Sequence, residues 1–151
     1  METASTKIAL GCDHGGYELM KEVKAHLEEL GYEYNDFGTY SSDSCDYPIF
    51  AEKAARAVAD GDCRLGIVIC GTGIGVSISA NKINGIRCAL CSDCFSAEMT
   101  RRHNDANMLA MGARVIGPGL ALKIVDAFLG APFDGGRHDR RVKMMMDLEN
   151  N

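Results

Sequence analysis

Residues 65–75 read LGIVICGTGIG, which predicts a buried β-strand followed by a glycine-rich turn. The run Leu65–Cys70 is continuously apolar, as expected for a strand that is covered on both faces of a sheet. Gly71, Gly73 and Gly75 alternate directly after it, so the backbone of the turn can approach a ligand closely. N–H groups at the start of the next helix would face that ligand and favour an anion. This stretch therefore predicts an α/β protein with an anion site at the end of its strongest strand.

The rest of the chain alternates strand and helix patterns. Strands are predicted at 7–12, 32–37, 65–70, 87–91 and within 108–116, with helices between them and a last helix near 137–149. The connections are too short for separate domains, which favours a parallel sheet with helices on both faces. We expect a three-layer α/β/α sandwich with a five-stranded parallel, Rossmann-like sheet and an extra C-terminal helix. This single domain is expected over residues 7–151, after a disordered extension of residues 1–6.

Composition and charge fit a soluble globular protein and exclude several other classes. Of the 151 residues, 46% are hydrophobic and 25% are charged, so neither disorder nor a fibrous repeat is expected. No apolar run approaches the length of a membrane helix, and no signal-peptide pattern opens the sequence. The net charge of −5 argues against a nucleic-acid-binding protein. We therefore expect a cytoplasmic protein that binds neither nucleic acid nor membranes.

The seven cysteines raise the alternative of a metal site. An odd count without a secretion signal indicates reduced thiols rather than a disulfide framework. Cys88, Cys91 and Cys94 have the spacing of metal or iron–sulfur ligands. However, positions three apart on a strand point to opposite faces, and no further cysteine follows at the required interval. We expect no metal. A non-catalytic metal- or nucleotide-binding module stays open as an alternative, although Val76 stands where a dinucleotide fingerprint requires glycine.

Polar and reactive side chains follow the predicted strands at their carboxyl ends, where parallel sheets bind ligands. Cys70 ends the strongest strand, and N–H groups of the next helix would stabilise its thiolate. Such a thiolate could remove a proton from carbon while the turn holds the developing oxyanion. The alternative is a small buried core residue. Asp13 and His14 are either a polar wall of the same site or a helix N-cap and a surface imidazole. Arg114, predicted inside an apolar strand, would need an anionic partner.

A second group of candidates lies at the end of the fourth helix and on the last helix. Because a helix that follows a strand returns to the opposite edge of the sheet, His103 and Asn104 should lie far from Cys70. They form either an ordinary helix C-cap or, if His103 is catalytic, part of another subunit's site in a symmetric oligomer. Arg137 and Arg141 share a helix face and form either a phosphate clamp or a solvated basic face.

Six motifs occur in order along the chain and carry a family resemblance. They are Gly11-Cys12-Asp13-His14-Gly15-Gly16, Asp46-Tyr47-Pro48, Cys70–Gly75, Ser79-Ala80-Asn81-Lys82, His103–Asn107 and Gly136-Arg137-His138 with Arg141. Over residues 7–149 the chain resembles type B ribose-5-phosphate isomerases, whose family also holds the galactose-6-phosphate isomerase subunits. The resemblance implies an isomerase that interconverts D-ribose 5-phosphate and D-ribulose 5-phosphate through an enediolate, in the pentose phosphate pathway, without metal or organic cofactor. A six-carbon substrate, allose 6-phosphate or galactose 6-phosphate, is the alternative.

The resemblance also implies a role for each candidate residue. Cys70 is the base that moves a proton between C2 and C1, Thr72 moves a proton between the oxygens, and His103 opens the furanose ring across a dimer interface. Asp13, which the resemblance also places among the catalytic residues, and Asn104 bind hydroxyl groups of the sugar. The other substrate-binding residues are the anion hole Gly71, Thr72, Gly73, Ile74 and Gly75, the phosphate ligands His14, Arg114, Arg137 and Arg141, and Tyr47 in the pocket wall. The implied assembly is a homodimer with shared sites, with a tetramer as the larger alternative.

Overall fold

A computed structural model describes residues 6–150 of the chain. The strands are β1 (Lys7–Cys12), β2 (Glu33–Asp36), β3 (Leu65–Cys70), β4 (Cys88–Leu90) and β5 (Met108–Gly112). The helices are α1 (Tyr17–Leu30), α2 (Tyr47–Ala59), α3 (Ile74–Asn81), α4 (Cys94–Asn104), α5 (Pro118–Gly130) and α6 (Arg137–Asp147), and a short 3₁₀ helix (Leu148–Asn150) follows α6. Residues 1–5 of the expected disordered extension lie outside the described residues, and Thr6, its last residue, is buried.

The five strands form one parallel sheet in the order β2-β1-β3-β5-β4. All six residues of the middle strand, β3, are buried, which agrees with its continuous apolar sequence. The predicted five-stranded parallel sheet is therefore confirmed. β5 lies between β3 and β4, a position that the alternation of strands and helices along the sequence does not specify.

Helices cover both faces of the sheet and bury two separate apolar clusters. Side chains of β3 alternate between them, because successive residues of a strand point to opposite faces. Ile67 and Ile69 pack with Phe128 and the buried residues of α1 and α5, whereas Val68 and Cys70 pack with α2 and α3. The cluster on the second face is rich in small side chains from the helices: Ala51, Ala54, Ala55, Ala57 and Ala80. The predicted three-layer sandwich is confirmed.

Local sequence signals account for the ends of several helices. α1 ends at Gly31, whose φ of 84° is a left-handed conformation that glycine adopts without strain. Pro48 and Pro118 stand in the first turns of α2 and α5, where a missing N–H costs no hydrogen bond. Asp93 caps α4 by accepting a hydrogen bond from the Ser96 N–H at 2.6 Å. Within residues 6–150, no helix has the length and apolar character needed to cross a membrane.

The last helix, α6, lies outside the alternating unit and packs against α4. None of its residues is buried, although Val142 and Met146 are half-buried. Met144, Met145 and Leu148 remain exposed at this end of the chain. The helix therefore docks on the body through a narrow strip and leaves apolar side chains uncovered.

Three local predictions differ from the structure. β5 ends at Gly112, so Arg114 lies in the turn beyond the strand rather than inside it. The turn folds back on the core and buries Ile116, which explains why the apolar pattern continues past the strand. Cys91 follows β4 rather than ending it. The C-cap of α4 is Asp105, with a φ of 48°, rather than Asn104.

Candidate functional site

The turns after β1 and β3 meet at the carboxyl edge of the sheet. The two strands are neighbours, but the chain leaves them in opposite directions, so a crevice opens between their ends. A Cβ added to Gly15 would lie 3.2 Å from the backbone nitrogen of Gly71. A Cβ on Gly16 would overlap the carbonyl group of Ile69. These glycines therefore allow the backbones of the two turns to come together.

Cys70 lies in this crevice as the last residue of β3, with 5% of its surface exposed. The backbone N–H of Gly73 donates a hydrogen bond of 3.2 Å to the Cys70 Sγ. Gly73 has a φ of 78° just before α3, and a Cβ there would collide with the backbone of Met111. The donor thus faces the sulfur at a helix N-terminus, where partial positive charge stabilises an anion. This arrangement suits a thiolate that accepts a proton.

Asp13, His14 and Tyr47 surround the same turn. Asp13 is buried, and its Oδ1 accepts a hydrogen bond of 3.1 Å from the backbone N–H three residues later. His14 Nδ1 accepts a hydrogen bond of 3.2 Å from the Cys45 N–H, so a neutral His14 carries its proton on Nε2. The Tyr47 ring packs on Gly75, where an added Cβ would lie 2.5 Å from the ring. Cys45, which holds the loop before α2 against His14, is a contact that the sequence did not indicate.

Thr72 and Arg114 occupy the open side of the turn. Thr72 is exposed, and its Oγ1 accepts a hydrogen bond of 3.2 Å from the Ile74 N–H. The Arg114 N–H donates to the Gly71 carbonyl at 2.9 Å, and its exposed side chain lies alongside Gly71. The turn beyond β5 therefore supplies the cation that was predicted inside the strand. An exposed guanidinium beside backbone N–H groups suits an anionic substrate group.

The remaining candidates lie together where the end of α4 meets the start of α6. They are His103 and Asn104 on α4, and Arg137 and Arg141 on α6. The imidazole rings of His103 and His138 stack there, with centroids 4.3 Å apart and an angle of 10° between their planes. Both arginines are exposed and stand four residues apart, so they share a face of the helix.

Asp134 and Arg102 lie beside the stacked histidines. Arg102 forms an ion pair of 3.1 Å with Asp134 and holds the pKa of that carboxyl below its usual value. Desolvation, the nearby His103 and the charge of Arg137 lower the pKa of His138 from its ordinary value. His138 therefore loses its proton more readily than a free imidazole. Neither His138 nor Asp134 was predicted as a site residue, and their sequence signal was only their closeness to Arg137.

The two groups of candidates lie at opposite ends of the sheet. Cys70 pairs with Gly112 at the carboxyl end of β5, whereas α4 leads into Met108 at the amino end. The strand between Met108 and Gly112 spans roughly 13 Å. A rotation of the His103 side chain therefore does not bring it to Cys70 of its own chain. The separation expected from the topology is present in the structure.

Two groups of side chains are candidate metal ligands: the cysteines Cys88 and Cys91, and a histidine–carboxylate group at the end of α4. Burial, with a contribution from Cys91, raises the pKa of Cys88 to about 12, and burial with Asp93 raises the pKa of Cys91 to about 11. Both shifts favour the protonated thiol over the thiolate that a metal ion would bind. Within residues 6–150, the one group of His, Cys, Asp or Glu close enough to share an ion is His103, Asp134 and His138, whose ligand atoms lie within 4.8 Å of one another. Stacked, nearly parallel imidazoles direct their lone pairs side by side, so a common ion would require the rings to turn.

The chain is similar to known proteins over nearly its whole length. The family model described as Ribose/Galactose Isomerase matches residues 8–145. Ribose-5-phosphate isomerase B of Escherichia coli strain K12 is 54% identical over 143 residues, which cover 95% of this chain and 96% of the relative. The structure of Clostridium thermocellum ribose-5-phosphate isomerase B superposes with a TM-score of 0.95 at 54% identity, over 96% of this chain and 98% of the other. Ribose-5-phosphate isomerase B from Mycoplasma genitalium with bound ribulose-5-phosphate gives a TM-score of 0.93 at 39% identity, over 97% and 98%.

Proposed function

The chain belongs to the ribose/galactose isomerase family and interconverts D-ribose 5-phosphate and D-ribulose 5-phosphate, and we propose that Cys70 is the base of this reaction. The observation that carries the proposal is the hydrogen bond from the Gly73 N–H to the Cys70 Sγ inside the glycine turn. The name of the Escherichia coli relative and the ribulose-5-phosphate bound to the Mycoplasma genitalium protein favour this five-carbon substrate over a six-carbon one. The reaction is a step of the pentose phosphate pathway.

The isomerisation moves one proton between two neighbouring carbons. The Cys70 thiolate takes the proton from C2 of the aldose, the electron pair of that bond forms the C1–C2 double bond, and the aldehyde oxygen becomes an oxyanion. Backbone N–H groups of the turn 71–75 stabilise this charge as it develops. The Thr72 hydroxyl then relays a proton from the C2 oxygen to the C1 oxygen. The C2 oxyanion collapses to the ketose carbonyl while the Cys70 thiol returns its proton to C1.

The side chains around the turn hold the substrate in place. Asp13 is fixed by its backbone hydrogen bond and accepts a hydrogen bond from a sugar hydroxyl. His14, held through Nδ1, presents its Nε2 proton to the phosphate, and Arg114 adds a positive charge beside Gly71. Tyr47, whose ring packs on Gly75, forms a wall of the pocket. The residues of the chain thus supply the acid–base, oxyanion and binding groups of the proposed mechanism.

We propose that two chains complete each other's sites in a homodimer. His103 lies too far from its own Cys70, so it opens the furanose ring of a substrate bound at Cys70 of the second chain. Asn104, Arg137 and Arg141 reach the same substrate from that side. Exposed apolar side chains near both groups support an interface between copies: Ile74 and Ile78 on α3, and Met144, Met145 and Leu148 at the end of the chain. A tetramer would be a pair of such dimers.

The cysteines support a cytoplasmic location. All seven are free thiols, and four of them, Cys12, Cys63, Cys70 and Cys91, are buried. Free thiols persist in compartments that glutathione and thioredoxin keep reducing. A metabolic enzyme of sugar phosphates is expected in the same compartment as its substrates.

A substrate panel in deuterated water tests this function. The purified protein is incubated with ribose 5-phosphate, allose 6-phosphate and galactose 6-phosphate, and NMR follows both ketose formation and deuterium entry at C1. We expect the highest kcat/KM for ribose 5-phosphate, and no loss of activity after EDTA treatment. A higher kcat/KM for a six-carbon sugar would overturn the substrate assignment. Absence of isomerase activity, together with stoichiometric metal whose removal by EDTA unfolds the protein, would instead favour the non-catalytic metal-binding module.

A further inference from the structure

A third cluster of charged side chains lies at the amino edge of the sheet, away from Cys70. It surrounds a cavity of about 220 Å³ that is lined by Arg64, Leu65, Arg87, Arg101, Asp105 and Asn107. Arg64 directly precedes β3, Arg87 directly precedes β4, and Arg101 belongs to α4. None of these residues takes part in the proposed isomerisation, so the cavity and its three guanidiniums have no assigned role.

The cavity carries more positive than negative charge. Asp105 is the one carboxylate in its wall, and it lies 3.2 Å from Nη1 of Arg101 and 3.6 Å from Nη2 of Arg87. Arg64 is exposed, and among residues 6–150 no carboxylate lies within ion-pair distance of its guanidinium. Three guanidiniums against one carboxylate leave two positive charges without a counterion.

The most buried of the three arginines also has an unused donor. Arg101 is 2% exposed, and its Nη1 donates a hydrogen bond of 2.5 Å to the Ala106 carbonyl. Its Nε is buried and has no hydrogen-bond partner among the described residues. Burial is the main cause that lowers the pKa of Arg101; Asp105 opposes this effect, and Arg64 and Arg87 add to it. A buried, unpaired N–H on a cation is unfavourable, so the hydrogen bonds of the Arg101 guanidinium are incomplete within the described residues.

We propose that this cavity binds a small tetrahedral oxyanion of the phosphate class. A phosphate group carries a charge of about −1.5 to −2 at pH 7, which matches the two uncompensated positive charges. Guanidiniums donate paired hydrogen bonds to phosphate oxygens, and three of them reach the cavity from three different segments of the chain. The cavity lies at the opposite end of the sheet from Cys70 of the same chain, and none of its lining residues has a role in the proposed function.

NMR titration of the whole protein with inorganic phosphate tests the site. The backbone amides of Arg64, Arg87 and Asn107 report on the cavity, whereas those of Gly71 and Gly73 report on the glycine turn. We expect the cavity amides to shift along a saturable curve of their own. In R64Q the apparent Kd from these amides should rise at least about tenfold, because one charge-assisted interaction is lost.

The matched control is R56Q, which removes an exposed guanidinium that pairs with Glu52 on α2. We expect R56Q to leave both titration curves unchanged. Arg64 is exposed, so R64Q should keep its fold, and its melting temperature checks this. The proposal is overturned if the cavity amides do not move in the wild-type protein, or if R64Q and the wild type give the same Kd. A missing response of Gly71 and Gly73 would count against phosphate binding beside Arg114 and leave the cavity site unaffected.

Discussion

Mixing two inactive variants tests whether the catalytic groups come from different chains. C70A lacks the proposed base, and H103A lacks the proposed ring-opening group. Within one chain, Cys70 lies beside the carboxyl end of β5, whereas His103 comes shortly before its amino end. The two ends of β5 are roughly 13 Å apart, so a chain cannot complete its own site. A hybrid dimer, however, has one site in which the Cys70 of one chain meets the His103 of the other.

The expected recovery follows from counting sites. After free exchange of equal amounts, half of the dimers are hybrids, and each hybrid has one complete site and one that lacks both groups. The mixture should therefore regain about a quarter of the wild-type rate. The rate of ribulose 5-phosphate formation is measured before and after exchange, and native mass spectrometry of isotope-labelled chains confirms that hybrids form.

A matched mixture provides the control. C70A combined with the double variant C70A/H103A yields hybrids in which no site has both groups, so its rate should stay at the level of the variants alone. If the C70A and H103A mixture also stays at that level while hybrids are present, the shared site is refuted. The reasoning from the topology to a second chain would then be wrong.

Three further changes probe single groups. C70S keeps the shape of the side chain and an acceptor for the Gly73 N–H, but a serine hydroxyl is a poor base. The kcat should therefore fall at least about 100-fold while the circular dichroism spectrum stays unchanged. Retained turnover would exclude Cys70 as the base. R141Q should raise KM for ribose 5-phosphate about tenfold or more, because a phosphate contact is lost, whereas R140Q at the neighbouring position should leave KM unchanged. Equal KM values for the two variants would mean that Arg141 belongs to a solvated basic face and does not bind the phosphate. F128A removes a fully buried ring and should lower the free energy of unfolding by about 3–5 kcal/mol in urea titrations. F95A, whose side chain is 71% exposed, should change that free energy by less than about 0.5 kcal/mol. Similar losses of stability in the two variants would contradict the observed core.

The fold was predictable because its signals are local. The apolar run of β3, the stop at Gly31 and the prolines that open α2 and α5 each act on neighbouring residues of the chain. Cys70 and its glycine turn were also predictable, because they are adjacent in sequence and the strand–turn–helix order alone places them side by side. The position of β5 between β3 and β4 has no such signal, because it depends on which face each crossover helix covers.

Sequence alone named the residues to which we assign the chemistry, and it implied that Cys70 and His103 lie at opposite edges of the sheet. Only the tertiary structure decided their partners: Arg114 lies against Gly71 because its strand ends two residues earlier, and His138 stacks on His103 because α6 packs on α4. The same packing leaves Arg101 with a buried, unpaired Nε at the amino edge. Periodicity reports how a segment is buried, whereas contacts between distant segments arise from the packing of whole helices and strands.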